Sequence, residues 1–151
     1  MIKIIRTNSE NQDFIQLVRF LDAYLRETDG EEHAFYAQFN KLDQIQCVVI
    51  AYQSEKVVGC GAIKPYSPQI MEVKRMYTTP EGRGGGVASM VLTELEKWAV
   101  ELGSTKCILE TGIKQVEAIG LYTKNQYQRI PCYGQYKNVE NSVCFEKALK
   151  V

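Results

Sequence analysis

Apolar and polar residues alternate at the start of the chain. Ile2 and Ile4 flank Lys3, a period of two that predicts a first strand over about residues 2–6. The period then lengthens. Ser9 and Gln12 stand in a capping-box arrangement, and Phe14, Leu17, Val18, Leu21 and Leu25 recur at three- and four-residue spacing, which predicts an amphipathic helix to about Arg26. Asp29-Gly30 breaks it, and a second helical stretch is expected over about Glu31 to Asn40, with Ala34, Phe35 and Phe39 on an uneven face.

Two β-branched, apolar runs follow, Gln46 to Tyr52 and Val57 to Lys64, joined by the polar Gln53-Ser54-Glu55-Lys56; they read as an antiparallel hairpin. Gly59 and Gly61 inside the second run point to close packing by another element. Pro65 and Pro68 are expected to end it, and Gln69 to Thr79 returns as a further strand. Beyond the glycine-rich stretch at 84–86, Ala88, Val91, Leu95, Trp98, Ala99 and Leu102 predict the buried stripe of a long helix that stops at Gly103. Lys106 to Glu110 reads as a strand, Gln115 to Asn125 as a helix with Ala118, Ile119 and Tyr122 inward. Tyr127 to Ile130 and Val143 to Lys147 read as the last strands, separated by the segment from Cys132 to Asn138. The expected order is β-α-α-β-β-β-α-β-α-β-β, in one domain spanning residues 1–151.

The stretch from Met71 to Leu102 carries the strongest chemical signal. A strand runs through Pro80 into Arg83-Gly84-Gly85-Gly86-Val87-Ala88 and straight on into the long helix. A helix N-terminus has unpaired N–H groups and roughly half a positive charge, and glycines allow a phosphate to approach that backbone. The turn lacks the Lys-Ser/Thr ending of a P-loop, which disfavours nucleoside-triphosphate hydrolysis, and it is not the GxGxxG turn of a dinucleotide fold.

Composition narrows the field. Eighteen Lys and Arg balance eighteen Asp and Glu, so nucleic-acid binding through bulk positive charge is not expected. No run reaches the ~18 apolar residues of a membrane span, and the N-terminus does not read as a signal peptide, so a cytoplasmic location is expected. The five cysteines, Cys47, Cys60, Cys107, Cys132 and Cys144, form no CxxC pair, and His33 is the only histidine. A metal site is therefore not expected, and the cysteines read as buried, reduced thiols.

The Arg-x-x-Gly-x-Ala turn at Arg83–Ala88 resembles the pyrophosphate loop of the GNAT superfamily of acyl-CoA-dependent N-acyltransferases. Val73-Lys74-Arg75-Met76-Tyr77 before Pro80, Glu117-Ala118-Ile119-Gly120-Leu121-Tyr122, and the closing Ser142 to Lys147 are similar to further segments of that superfamily, so the resemblance covers about residues 45–148. One departure is clear: Gln126-Tyr127 stands where the superfamily has Gly-Phe. The resemblance implies an α/β (α+β type) fold, a mixed, mostly antiparallel sheet of six to seven strands flanked by about four helices. It implies acetyl-CoA as cosubstrate, and it admits a homodimer.

It also assigns expected roles. Backbone groups of Gly84, Gly85, Gly86, Val87 and Ala88 would hold the pyrophosphate, with Arg83 ordering the turn or pairing a phosphate. Main-chain groups of Met76 and Thr78 would meet the pantetheine arm, and Gln115 takes a position where a cofactor-contacting Asn is common. Tyr122 is the expected general acid, since a phenol of pKa ~10 can protonate a thiolate whose conjugate acid lies near ~8.5. Glu72 is the expected base, acting through water, with an ordinary strand glutamate as the competing reading and Glu110 as the fallback. His33 reads as a surface residue. Asp29, Glu31 and Glu32 attract a cationic amine or simply favour a helix N-terminus, and Tyr66, Tyr133 and Tyr136 edge the acceptor site or pack. The expected reaction is direct attack by a primary amine of a small-molecule acceptor on acetyl-CoA. A CoA-binding module without catalysis and a protein or peptide N-acetyltransferase are the alternatives.

Overall fold

The computed structural model describes residues 1–29 and 45–150. The second helical stretch expected over about Glu31 to Asn40, with His33, Glu31 and Glu32, lies outside the described residues. The elements are β1 (Ile2–Thr7), α1 (Gln12–Asp29), β2 (Cys47–Gln53), β3 (Lys56–Ser67), β4 (Ile70–Thr78), α2 (Val87–Glu101), β5 (Lys106–Gly112), α3 (Val116–Lys124), β6 (Gln128–Ile130) and β7 (Ser142–Ala148). They build a seven-stranded sheet in the order β1-β2-β3-β4-β5-β7-β6. Every pairing is antiparallel except β4 with β5. This is the mixed α/β architecture expected from the sequence.

Helices cover both faces. On one, Val87, Val91, Leu92, Leu95 and Ala99 of α2 and Tyr122 of α3 pack on Val49, Ala51, Ile63, Val73, Leu109 and Phe145. On the other, Phe14, Leu17 and Val18 of α1 pack on Val48, Ile50, Cys60 and Ala62. The α2 stripe is shifted from expectation. Trp98 is half-buried beneath the Arg6 guanidinium, 4.9 Å from its ring centroid, and Leu102 lies past the helix end at 52% exposure. Gly103 ends α2 as expected, at φ +92, with Gly103 N–H on Val100 O and Ser104 N–H on Ala99 O, both at 2.9 Å. Pro65 does not end β3. It lies beside a register shift, one of the few places in a sheet where a missing N–H is tolerated.

Two irregularities position the site. In β4, Arg75 and Met76 together face Gly61 of β3, a bulge with Arg75 at φ +59. Gly61 is the space that bulge requires: a Cβ there would collide with Met76 Sδ and would lie 2.9 Å from Leu95 Cδ1 and from Val91 Cγ1. Gly61→Ala is expected to lower stability by about 1–3 kcal/mol through overpacking, read as a lower urea midpoint at unchanged slope.

The second irregularity is the parting of β4 from β5. Their pairing consists of Ile70↔Lys106, Met71↔Cys107 and Glu72↔Ile108, and beyond it the strands splay. The edge of β4 from Val73 to Thr78 that faces β5 therefore has no strand partner. Unpaired backbone N–H and C=O groups at such an edge seek other partners.

Candidate active site

A cavity of about 630 Å³ opens along this splay. Its walls are β4 from Val73 to Thr78, the glycine turn and first residues of α2, Glu110 to Gly112 at the end of β5, α3 from Gln115 to Tyr122, and Leu21, Tyr24 and Leu25 of α1. Of the residues singled out in the sequence, Tyr122, Met76, Thr78, Arg83, Gly84, Gly86, Val87, Ala88 and Gln115 line it, whereas Gly85 and Glu72 do not.

The turn is held from behind. Thr79 caps a 3-10 turn over Pro80–Gly82, its hydroxyl accepting from Gly82 N–H at 3.3 Å, and Arg83 Nε donates to Thr78 O at 3.3 Å. Gly84 and Gly86 adopt φ +88 and +80, with open space where a Cβ would stand; here glycine is required by conformation and not by crowding. Gly86 is the N-cap of α2, so the first N–H groups of that helix face the cavity from an exposed turn. Ser89 of that first turn is tied to α3 through Asn125 Nδ2, which donates to Ser89 Oγ at 3.1 Å and to Leu121 O at 2.9 Å.

Tyr122 is buried, 5.7 Å from the Tyr127 ring and 6.0 Å from that of Phe145. Its hydroxyl makes no hydrogen bond among the described residues. Burial, reinforced by the Glu110 carboxylate, pushes its pKa above the usual phenol range, so it stays protonated at neutral pH. The backbone of Tyr122 is fixed by the end of α3: Tyr127 N–H reaches Tyr122 O at 3.0 Å and Gln126 N–H reaches Thr123 O at 3.1 Å. That pair of bonds is a Schellman ending, with Gln126 at the left-handed position, φ +72. The departure from Gly-Phe thus leaves the turn intact, with glutamine in the conformation glycine adopts without cost. Gln126→Gly is expected to stabilise the protein by about 0.5–1 kcal/mol, seen as a melting temperature higher by about 2–4 °C.

A polar cluster lies where the strands part, on the α1 face of the sheet. Glu72 is 2% exposed and accepts a hydrogen bond from Tyr133 Oη at 2.7 Å. Lys74 Nζ donates to Tyr136 Oη at 3.1 Å and stands 3.7 Å from Glu72 Oε2. Burial lowers the Lys74 pKa, against the opposing pull of Glu72 and Glu110. Tyr133 and Tyr136 are pushed above the phenol range by burial, with the nearby carboxylates adding to it. Glu110 reaches the cavity and accepts from Ser142 Oγ at 2.7 Å. Tyr66 packs edge-on against Tyr133 at 5.1 Å, and none of Tyr66, Tyr133 and Tyr136 lines the cavity. Arg75 Nη1 bonds Asp22 Oδ1 at 2.8 Å, which ties α1 to the bulge.

Lys74 and the α1 wall were not picked out in the sequence. A signal for Lys74 was present: two charged residues, Glu72 and Lys74, alternate with Met71 and Val73 in a run that reads as an interior strand, and buried charges demand partners. Leu21, Tyr24 and Leu25 carry no such signal, since they continue the helix's apolar stripe.

Residues 14–127 match the Acetyltransferase (GNAT) family. The chain belongs to that family. It is 31% identical to an IAA acetyltransferase of Azospirillum brasilense over 98% of each chain. Its fold superposes on a candidate acyl-CoA N-acyltransferase of Klebsiella pneumoniae with a TM-score of 0.84 at 30% identity, covering 99% of both. The PaiA N-acetyltransferase of Thermoplasma acidophilum, solved with coenzyme A, shares the fold at a TM-score of 0.68 and 18% identity, over 98% of this chain and 99% of that one. The protein is an acyltransferase. Among the described residues, no helix is long and apolar enough to cross a membrane.

Proposed function

We propose that the protein transfers an acetyl group from acetyl-CoA to the primary amine of a small-molecule acceptor by direct attack within a ternary complex. The observation that carries this reading is the splay beside the glycine turn. Exposed N–H groups at the start of α2 suit a pyrophosphate, and the unpaired edge of β4 from Val73 to Thr78 suits an extended arm rich in amide groups. Acetyl-CoA has both features and supplies the activated acyl group.

The chain's own residues provide the rest. Gly84, Gly86, Val87 and Ala88 bind the phosphates through their backbone, and main-chain groups of Met76 and Thr78 orient the arm. Arg83 holds the turn through Thr78 O. Tyr122 hands its phenolic proton to the departing thiolate; the same desolvation that raises its pKa also makes a bare thiolate costly, which favours transfer. Glu110 takes the proton of the attacking amine, directly or through water, from the opposite side of the splay. Glu72, separated from the cavity by Lys74, acts as the counter-charge of that lysine. Direct attack is favoured because no cysteine is among the residues that line the cavity, and burial raises the pKa of Cys60 and Cys107.

Two measurements test this. Calorimetry should detect binding of CoA and acetyl-CoA, and a free-thiol release assay with a panel of small amines and peptides should detect transfer. Binding without turnover across the panel would favour a CoA-binding module, transfer confined to peptides would favour a protein acceptor, and failure to bind at millimolar CoA would overturn the proposal.

A further inference from the structure

Lys74 is a buried ammonium on the wall of the reaction cavity with more donors than partners. Its side chain is 8% exposed, yet it lines the cavity. An ammonium has three N–H donors. One goes to Tyr136 Oη at 3.1 Å, and Glu72 Oε2, at 3.7 Å, lies beyond hydrogen-bond length. Among the described residues the other donors make no hydrogen bond, although Glu72 opposes the charge at ion-pair distance. Burying a charge in this way is costly unless something completes its bonding.

The place of Lys74 says what that partner is. Continuing the register Glu72↔Ile108 by two residues sets Lys74 opposite Glu110, just past the last pairing of β4 with β5. A cation and an anion therefore face one another across a gap that begins at strand spacing, ~4.8 Å, and widens. A ligand complementary to both carries an amine and an acidic group close together. Of the other charges that line the cavity, Arg75 bonds Asp22 at 2.8 Å, and Arg83, Glu117 and Lys124 belong to the glycine turn and α3; Glu72 is outside the lining. The adjoining wall from α1, Leu21, Tyr24 and Leu25, is apolar and aromatic.

We propose that the acceptor is an amine that also carries a carboxylate, with the proportions of an α- or β-amino acid with an apolar side chain, and that Lys74 binds that carboxylate. The proposal rests on the N-acyltransferase reading above. In it, Glu110 faces the acceptor's amine while Lys74 holds the carboxylate, so the amine is oriented toward the thioester. The α1 wall receives the side chain. No covalent step is added to the reaction: the C–S bond of the thioester breaks, the C–N bond forms, and Lys74 keeps its proton.

The test compares acceptors that differ only in the carboxylate: phenylalanine with phenethylamine, leucine with isoamylamine, and leucine with its amide. Transfer from acetyl-CoA to each is followed by thiol release with wild-type protein, Lys74→Gln and Lys74→Arg. Wild type is expected to prefer the amino acid. Lys74→Gln is expected to reduce the ratio of kcat/KM between acid and amine by about tenfold or more, the scale of one charge-assisted hydrogen bond. That loss should fall on the amino acid's KM and leave the KM for acetyl-CoA unmoved, and Lys74→Arg should keep part of the preference. Each ratio is internal to one protein sample, so a partly misfolded variant still reports. The variant comparison also removes the contribution of the amino acid's more acidic ammonium. If wild type does not favour the acid, or Lys74→Gln retains the full preference, the proposal fails while N-acetylation of amines stands. Transfer to no amine of any kind would overturn both.

Discussion

Replacing Tyr122 by phenylalanine is expected to lower kcat at least tenfold, and by as much as the ~10²- to 10⁴-fold that a positioned acid contributes, while leaving acetyl-CoA affinity and stability nearly unchanged. The reasons are separable. The ring of Tyr122 packs between Tyr127 and Phe145, and phenylalanine keeps those contacts. Its hydroxyl bonds to nothing among the described residues, so removing it orphans no buried partner, and the stability change should stay within about 0.5 kcal/mol. What is lost is the proton source for the thiolate. Because burial and Glu110 hold this phenol above its ordinary pKa, its acid form persists as pH rises. Wild-type kcat should therefore show no alkaline decline below pH ~10, the usual phenol value. Steady-state kinetics from pH 6 to 10, with thermal melts of both proteins, measure both points. Full activity in the variant would take Tyr122 out of the mechanism.

Glu110→Gln is expected to reduce kcat/KM for the amine by ~10²- to 10⁴-fold near pH 7, with activity recovering as pH rises. An alkylamine of pKa ~10 is almost wholly protonated at neutral pH and loses its proton unaided only in alkaline solution. Glutamine retains an oxygen to accept from Ser142 Oγ, now 2.7 Å from Glu110, so the side chain should keep its place. Glu72→Gln is the counter-experiment. It also keeps an acceptor for Tyr133, but it withdraws the charge that opposes Lys74. Its main expected effect is a loss of stability, since removing one member of a buried ion pair leaves the other uncompensated. pH–rate profiles of the two variants distinguish them. Should Glu72→Gln show the larger rate loss with alkaline recovery, Glu72 is the base.

Both predictions concern side chains whose identity was plain and whose environment was not. Tyr122 stood out because its segment resembles one of the family's, and helical phase, set by local geometry, carries its side chain inward with Ala118 and Ile119. Glu72 was the expected base, with Glu110 as the fallback. Period two places alternate residues on one face of a strand, but it does not say where that strand leaves its neighbour. The parting of β4 from β5 after Glu72↔Ile108 decides which carboxylate reaches the cavity, and the bulge at Arg75 and Met76 against Gly61 follows just beyond it.

The order of the described elements, the glycine turn at the start of α2, the stop at Gly103 and the closeness of packing at Gly59 and Gly61 were legible from residues alone. Each rests on local rules: hydrophobic period, capping chemistry, and the freedom or smallness of glycine. The cluster of Glu72, Lys74, Glu110, Tyr133 and Tyr136 was not legible. Its members are separated by up to 64 residues and meet only because β4, β5 and the segment before β7 converge on one face of the sheet. Charge, hydrogen bonding and pKa in that cluster depend on distance and burial, which arise when the strands assemble. That is why the phosphate end of the site could be read along the chain, and why the acceptor end appears only in the folded protein.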